Sequence, residues 1–218
     1  MTAEAIRDAQ AEPKPPIKPS ALLREQNYGS GEGKRWDSRR IPGLSLDEHF
    51  ERGIYPVLRG RCERFPGGES LDDLAARAND TIDQILLPHV WDEDNYEAHV
   101  AVVSHGLFLA ELITALVRQD PAQQTIQPRD FRGMKNTAWT RVRVTAQKSA
   151  PGEKPSCKEK LMPLVVQVTN INNSDHLSSL KRQRGGIGSS AHDSRQKDIR
   201  GFFKAGAGRT HSQEKNSG

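Results

Sequence analysis

Apolar positions recur with a helical period from residue 71 to residue 86: Leu71, Leu74, Ala75, Ala78, Ile82, Ile85 and Leu86 follow one another every three or four residues. Ser70 is a good N-cap for that helix, Asp73 completes a capping-box arrangement, and Pro88 is expected to end it. The stripe predicts packing against a sheet. A different pattern follows. The run Val100-Ala101-Val102-Val103 ends in Ser104-His105-Gly106 and passes at once into a second apolar stretch, 107–117. Strand, tight turn and buried helix is the simplest reading, with His105 at the carboxyl end of the strand. Residues 137–144, with Trp139 and several β-branched side chains, predict another strand, and 164–168 a last one. Between Trp36 and Phe65 no period is sustained, although Ser45 can start a short helix with Leu44, Leu46 and Phe50.

Punctuation between these elements divides the chain. Pro13, Pro15, Pro16 and Pro19 predict a disordered leader over 1–20. Gly29, Gly31 and Gly33 mark a loop with Glu25 at its entrance. Beyond Leu177 the sequence turns to Ser, Gly and charge, so 21–177 is read as the domain and 178–218 as a disordered tail.

Charge sharpens that division. The net charge of +4 arises in the tail, where 9 Lys/Arg face 3 Asp/Glu, and residues 1–177 are net acidic. The body therefore offers no reason to expect direct nucleic-acid binding. Cys62 and Cys157 make neither a disulfide framework nor a metal site. No stretch approaches the length of a membrane span, and the first twenty residues hold no signal-peptide core. A nuclear or cytoplasmic protein without metal or cofactor is expected.

The candidate chemistry centres on His105. Ligands collect at the carboxyl ends of strands in α/β sheets, and the unpaired N–H groups of a helix starting at Gly106 suit an anion. Alone, His105 reads first as a satisfied turn histidine. Glu25, beside Arg24, is open to two roles, a solvated carboxylate or a catalytic acid. Arg77 is read as a surface helix residue, and His49, His89, His99, His176, His192 and His211 as surface histidines.

Several segments fall in an order that resembles the histidine-phosphatase superfamily, also called phosphoglycerate-mutase-like. They are Leu23-Arg24-Glu25 with its glycine loop through Glu32-Gly33, Gly68-Glu69-Ser70 with Arg77 on the helix after it, Val103-Ser104-His105-Gly106, and Asn136-Thr137 entering a strand. The resemblance covers roughly residues 22–177. It implies a three-layer α/β/α domain that handles phosphoryl groups, acting on a phosphorylated small molecule or a phosphoprotein. In the family a histidine of an Arg-His-Gly motif is phosphorylated, two arginines and a second histidine hold the group, and a carboxylic acid protonates the leaving oxygen. By position His105, with Gly106, corresponds to the phosphate-holding histidine and Glu25 to the acid.

The departure from the pattern is large. No Arg-His-Gly occurs anywhere in the chain, and Arg77-Ala78-Asn79-Asp80-Thr81 only imitates the segment that carries the second arginine. The domain is therefore expected to be incomplete at its N-terminus. Without the family's first strand, its neighbours would keep unpaired ladder groups.

The tail carries a second signal. Gln196-Lys197-Asp198-Ile199-Arg200-Gly201-Phe202-Phe203 resembles the PIP box, the peptide that binds the sliding clamp of eukaryotic DNA replication, the proliferating-cell nuclear antigen. One tight helical turn would bring Ile199 and Phe202 to one side, Phe203 would extend that surface, and Gln196 would hydrogen-bond beside it. This favours an alternative function, a non-catalytic interaction protein.

Overall fold

The computed structural model of the chain describes residues 2–37, 39–92, 98–146 and 163–179. Helix α1 spans Thr2–Asp8, inside the leader expected to be disordered. Good helix formers, Ala3, Glu4, Ala5 and Arg7, supply its local propensity. Lys14 then donates to the carbonyls of Asp8 and Gln10, closing its carboxyl end. None of its residues is buried, so the helix is a local structure.

Helix α2 spans Leu46–Glu51 and begins as expected at Ser45, with Glu48 completing the capping box. It lies in a stretch without periodicity, yet that stretch has its own core. Phe65 is buried, and its ring centroid lies 5.1 Å from Trp36, 5.6 Å from Phe50 and 5.8 Å from Tyr55. Such ring pairs add about 0.5–1.5 kcal/mol each beyond their buried area.

Helix α3 spans Leu71–Thr81, with Ser70 and Asp73 forming the capping box. Pro88 does not stop it. The helix widens into a π turn over Ile82–Leu86, in which Leu87 N–H reaches back to Ile82 O, and continues as α4, Leu87–Val90. Proline has no N–H, and its ring collides with the carbonyl four residues back in an α-helix. The wider turn relieves that collision, so the chain bends where it was expected to break.

Helix α5 spans Gly106–Val117 and is buried along most of its length. Leu74, Ala78 and Ile82 meet Phe108, Leu112, Phe131, Leu164 and Val166 in one core. Burying each large side chain there contributes about 1.5–3 kcal/mol. Asp120, just past α5, accepts the N–H groups of Ala122 and Val166, which tie the helix end to the sheet and hold this carboxyl below its usual range.

Strands β1 (Trp139–Ala146) and β2 (Leu164–Asn173) pair antiparallel, with Val142 opposite Val168 and Val144 opposite Val166. Both expected strands form, and the second runs on to Asn173. The expected strand at 100–104 is not one: among the described residues the only sheet has two strands, and no backbone group of 98–104 has a ladder partner. Val100 stays 45% exposed. An apolar β-forming run without a neighbouring strand cannot satisfy its peptide groups, so pattern alone does not make it a strand. The mixture of helices and a sheet agrees with the α/β class. Residues 175–218 form a separate unit, whose described part holds one turn at Asp175–Leu177. The clamp-binding-like residues Gln196, Ile199, Phe202 and Phe203 lie outside the described residues.

Candidate active site

The chain crosses itself where residues 22–26 pass the turn at 104–108. Ser104 Oγ donates to Leu23 O at 2.6 Å. The Glu25 carboxylate accepts Leu107 N–H at 3.2 Å and Phe108 N–H at 3.1 Å, and also its neighbour Gln26 N–H. These are the second and third residues of α5, whose N-cap, His105, makes no side-chain cap bond. Glu25 thus supplies from 80 residues away the cap that local sequence omits. Its charge also suits the positive end of the helix dipole.

His105 and Gly106 are exposed beside this contact. Among the described residues Gly106 N–H has no partner, so the first turn of α5 keeps one open donor next to the imidazole. Burial, then the charges of Glu25 and Glu32, raise the Tyr28 hydroxyl above the usual tyrosine range.

Arg77 is the largest departure from expectation. It is 6% exposed, and its guanidinium lies under the Glu25 segment. Nε and Nη2 donate to the two oxygens of Glu69 at 3.0 and 2.9 Å. Nη1 donates to Leu22 O and Arg24 O at 2.7 and 2.8 Å, and Nη2 also to Glu25 O at 3.2 Å. Burial pushes the Glu69 carboxyl up, but hydrogen bonds from Arg77 and Asn27 and the charges of Arg77 and Arg24 outweigh it and leave it below its usual range. The helical period held the clue: position 77 falls between Leu74, Ala78 and Thr81 on the buried face of α3, where a guanidinium must find partners.

His49 is likewise no surface residue. It is fully buried, its Nε2 accepts Ile41 N–H at 2.8 Å, and Nδ1 lies 2.6 Å from Ser45 O, which makes it a brace for the 41–49 loop. His99 and His176 are exposed, and His89 is half-buried. Thr137 precedes β1 in a turn with φ of 61°. Among the described residues no cluster of His, Cys, Asp and Glu could hold a metal ion, and no helix is long and apolar enough to cross a membrane. A cleft of about 320 Å³ lies along the C-terminal half of α5, lined by Arg61, Glu111 and Arg118 among others. It includes neither His105 nor Glu25, and its Arg61 and Glu111 are already paired at 3.0 Å.

The family model of the histidine phosphatase superfamily (branch 1) matches residues 1–151. The 2,3-bisphosphoglycerate-dependent phosphoglycerate mutases of Brucella melitensis and Brucella ovis are each 32% identical to the chain over 123 residues, 56% of this chain and 55% of the relative. The chain thus spans about half the length of the curated relatives it matches. No solved structure matches it. The chain belongs to the histidine phosphatase superfamily.

Proposed function

We propose that this histidine-phosphatase chain carries the phosphate-receiving and proton-donating half of a phosphohistidine site. His105 and the open N–H of Gly106 receive the phosphoryl oxygens, and Glu25, at rest the carboxylate cap of α5, delivers a proton to the leaving alcohol after it has taken one up. The sequence supplies no Arg-His-Gly nucleophile, so phosphomonoester hydrolysis or phosphoryl transfer belongs to a complete three-layer α/β/α form, and the chain alone is inactive. Its substrate is a phosphorylated small molecule or a phosphoprotein; the names of the two relatives favour a small phosphorylated acid. The observation that carries the reading is the meeting of Glu25 with the first turn of α5 beside His105. Cations and helix N-termini stabilise charge on phosphoryl oxygens, and an acid within reach makes the alcohol a better leaving group. Inorganic phosphate titrated into the chain is expected to shift the Gly106 amide and the His105 ring signals, with negligible turnover of an aryl phosphate. Rapid turnover lost in His105→Ala would show that no further histidine is needed.

A second reading rests on the tail motif. The spacing of Gln196, Ile199, Phe202 and Phe203, with two adjacent phenylalanines in a polar context, supports docking to a sliding clamp and hence residence in the nucleus. The full chain should bind the clamp in a pull-down, and the double variant Phe202→Ala, Phe203→Ala should not. Equal binding by both would refute it.

A further inference from the structure

We infer that Arg77 is a positioning residue for Glu25, holding that carboxylate against the first turn of α5; this rests on reading Glu25 as the acid of the site. A guanidinium has five N–H donors in a rigid plane, and Arg77 uses all five. Two go to Glu69, and the other three to Leu22 O, Arg24 O and Glu25 O. The last two acceptors matter most. The carbonyl of Arg24 belongs to the peptide before the Glu25 Cα, and the carbonyl of Glu25 to the peptide after it. One guanidinium therefore holds the peptide planes on both sides of Glu25 and leaves only its side-chain torsions free.

The same group also reaches the other side of the contact. Its central carbon lies 4.8 Å from the centroid of Phe108, whose backbone N–H is one of the two that Glu25 accepts. Acceptor backbone and donor residue are thus both registered on Arg77, and Ser104 Oγ to Leu23 O adds a third tie at the same crossing. Lysine could not replace it. A single ammonium has three donors around one atom and cannot span a bidentate carboxylate and three carbonyls in one plane.

A purely structural clamp would stabilise the fold without mattering to the Glu25 carboxylate, and amide signals separate the two roles. In the unmodified chain Glu25 should protect the Leu107 and Phe108 amides from hydrogen exchange, and Glu25→Ala should remove most of that protection. In Arg77→Lys the protection should be lost selectively at Leu107 and Phe108, while the Leu112 and Leu116 amides keep theirs. Full protection in folded Arg77→Lys overturns the inference. If Arg77→Lys does not fold, Glu69→Gln takes its place. Without the carboxylate that takes two of the five donors, the guanidinium loosens and the protection should fall as well, so unchanged protection overturns the inference. Loss of the fold in both variants also overturns it, since Arg77 would then be a scaffold group. No phosphate is present in these exchange measurements, so the expected losses with no phosphate response at Gly106 would fail the proposed function alone.

Discussion

Arg77 and Glu69 face one another across a single helical entry, two N–H groups of one against two oxygens of the other, with side chains only 7% and 15% exposed. A pair this buried stabilises little against a well-packed apolar pair, but removing Arg77 leaves Glu69 with Arg24 and the Asn27 N–H alone. Arg77→Ala leaves a buried carboxylate and three carbonyls without this donor. Urea unfolding should show a loss of about 3–5 kcal/mol, enough to unfold a marginal domain.

Gly29 sits where the glycine loop passes under residues 66–68. Its φ is +52°, and a Cβ there would lie 2.4 Å from both Gly68 N and Pro66 O. These are backbone atoms that cannot swing aside, and Ser30 N–H is bonded to the same Pro66 carbonyl. Gly29→Ala therefore combines a disfavoured conformation with a clash. We expect a loss of more than about 2 kcal/mol in thermal or urea unfolding, whereas Gly33→Ala, with open space around its Cβ, should cost about 1 kcal/mol for its φ alone.

The pair of Glu63 and Arg40 predicts how stability responds to acid. The Arg40 hydrogen bonds, helped by the N–H groups of Gly60 and Arg59, hold the Glu63 carboxyl down at about 2 against the penalty of burial. A carboxyl held below its unfolded value stabilises the fold fully above that value, near 4.5, and the contribution drains away as pH falls toward 2. The side chains remain 20% and 32% exposed, so screening reduces the effect to about 1–2 kcal/mol. Denaturant midpoints measured from pH 6 to pH 2 should fall through this window. Glu63→Gln should start lower and show a flatter profile; an unchanged slope would contradict the assignment.

His49 braces its loop only with Nε2 unprotonated, because that nitrogen accepts Ile41 N–H. His49→Phe keeps the bulk and loses the acceptor. Leaving one N–H unpaired beside a buried ring should cost about 1–3 kcal/mol, and the Ile41 amide should lose its hydrogen-exchange protection.

How far the sequence alone reached depends on the range of the forces involved. The capped helices at Ser45 and Ser70, the helix after His105 and the two valine-rich strands are written in neighbouring residues, since caps, helical stripes and β-branched runs act within a few positions. The ordered motifs also carried the family. Three features were not legible in this way. Val100–Ser104 has the pattern of a strand but no ladder partner among the described residues, and a strand is a property of two segments. Pro88 was a stop on paper, yet one wide turn let the helix pass. Arg77 and His49 looked like surface groups because polar residues usually are. Only folding places them under backbone carbonyls and amides, whose partners lie up to 55 residues away. His105 and Glu25 could be singled out by sequence. That Glu25 caps the helix His105 begins is a fact of the tertiary structure, because a helix N-terminus without its own capping side chain takes one from whatever segment the fold lays across it.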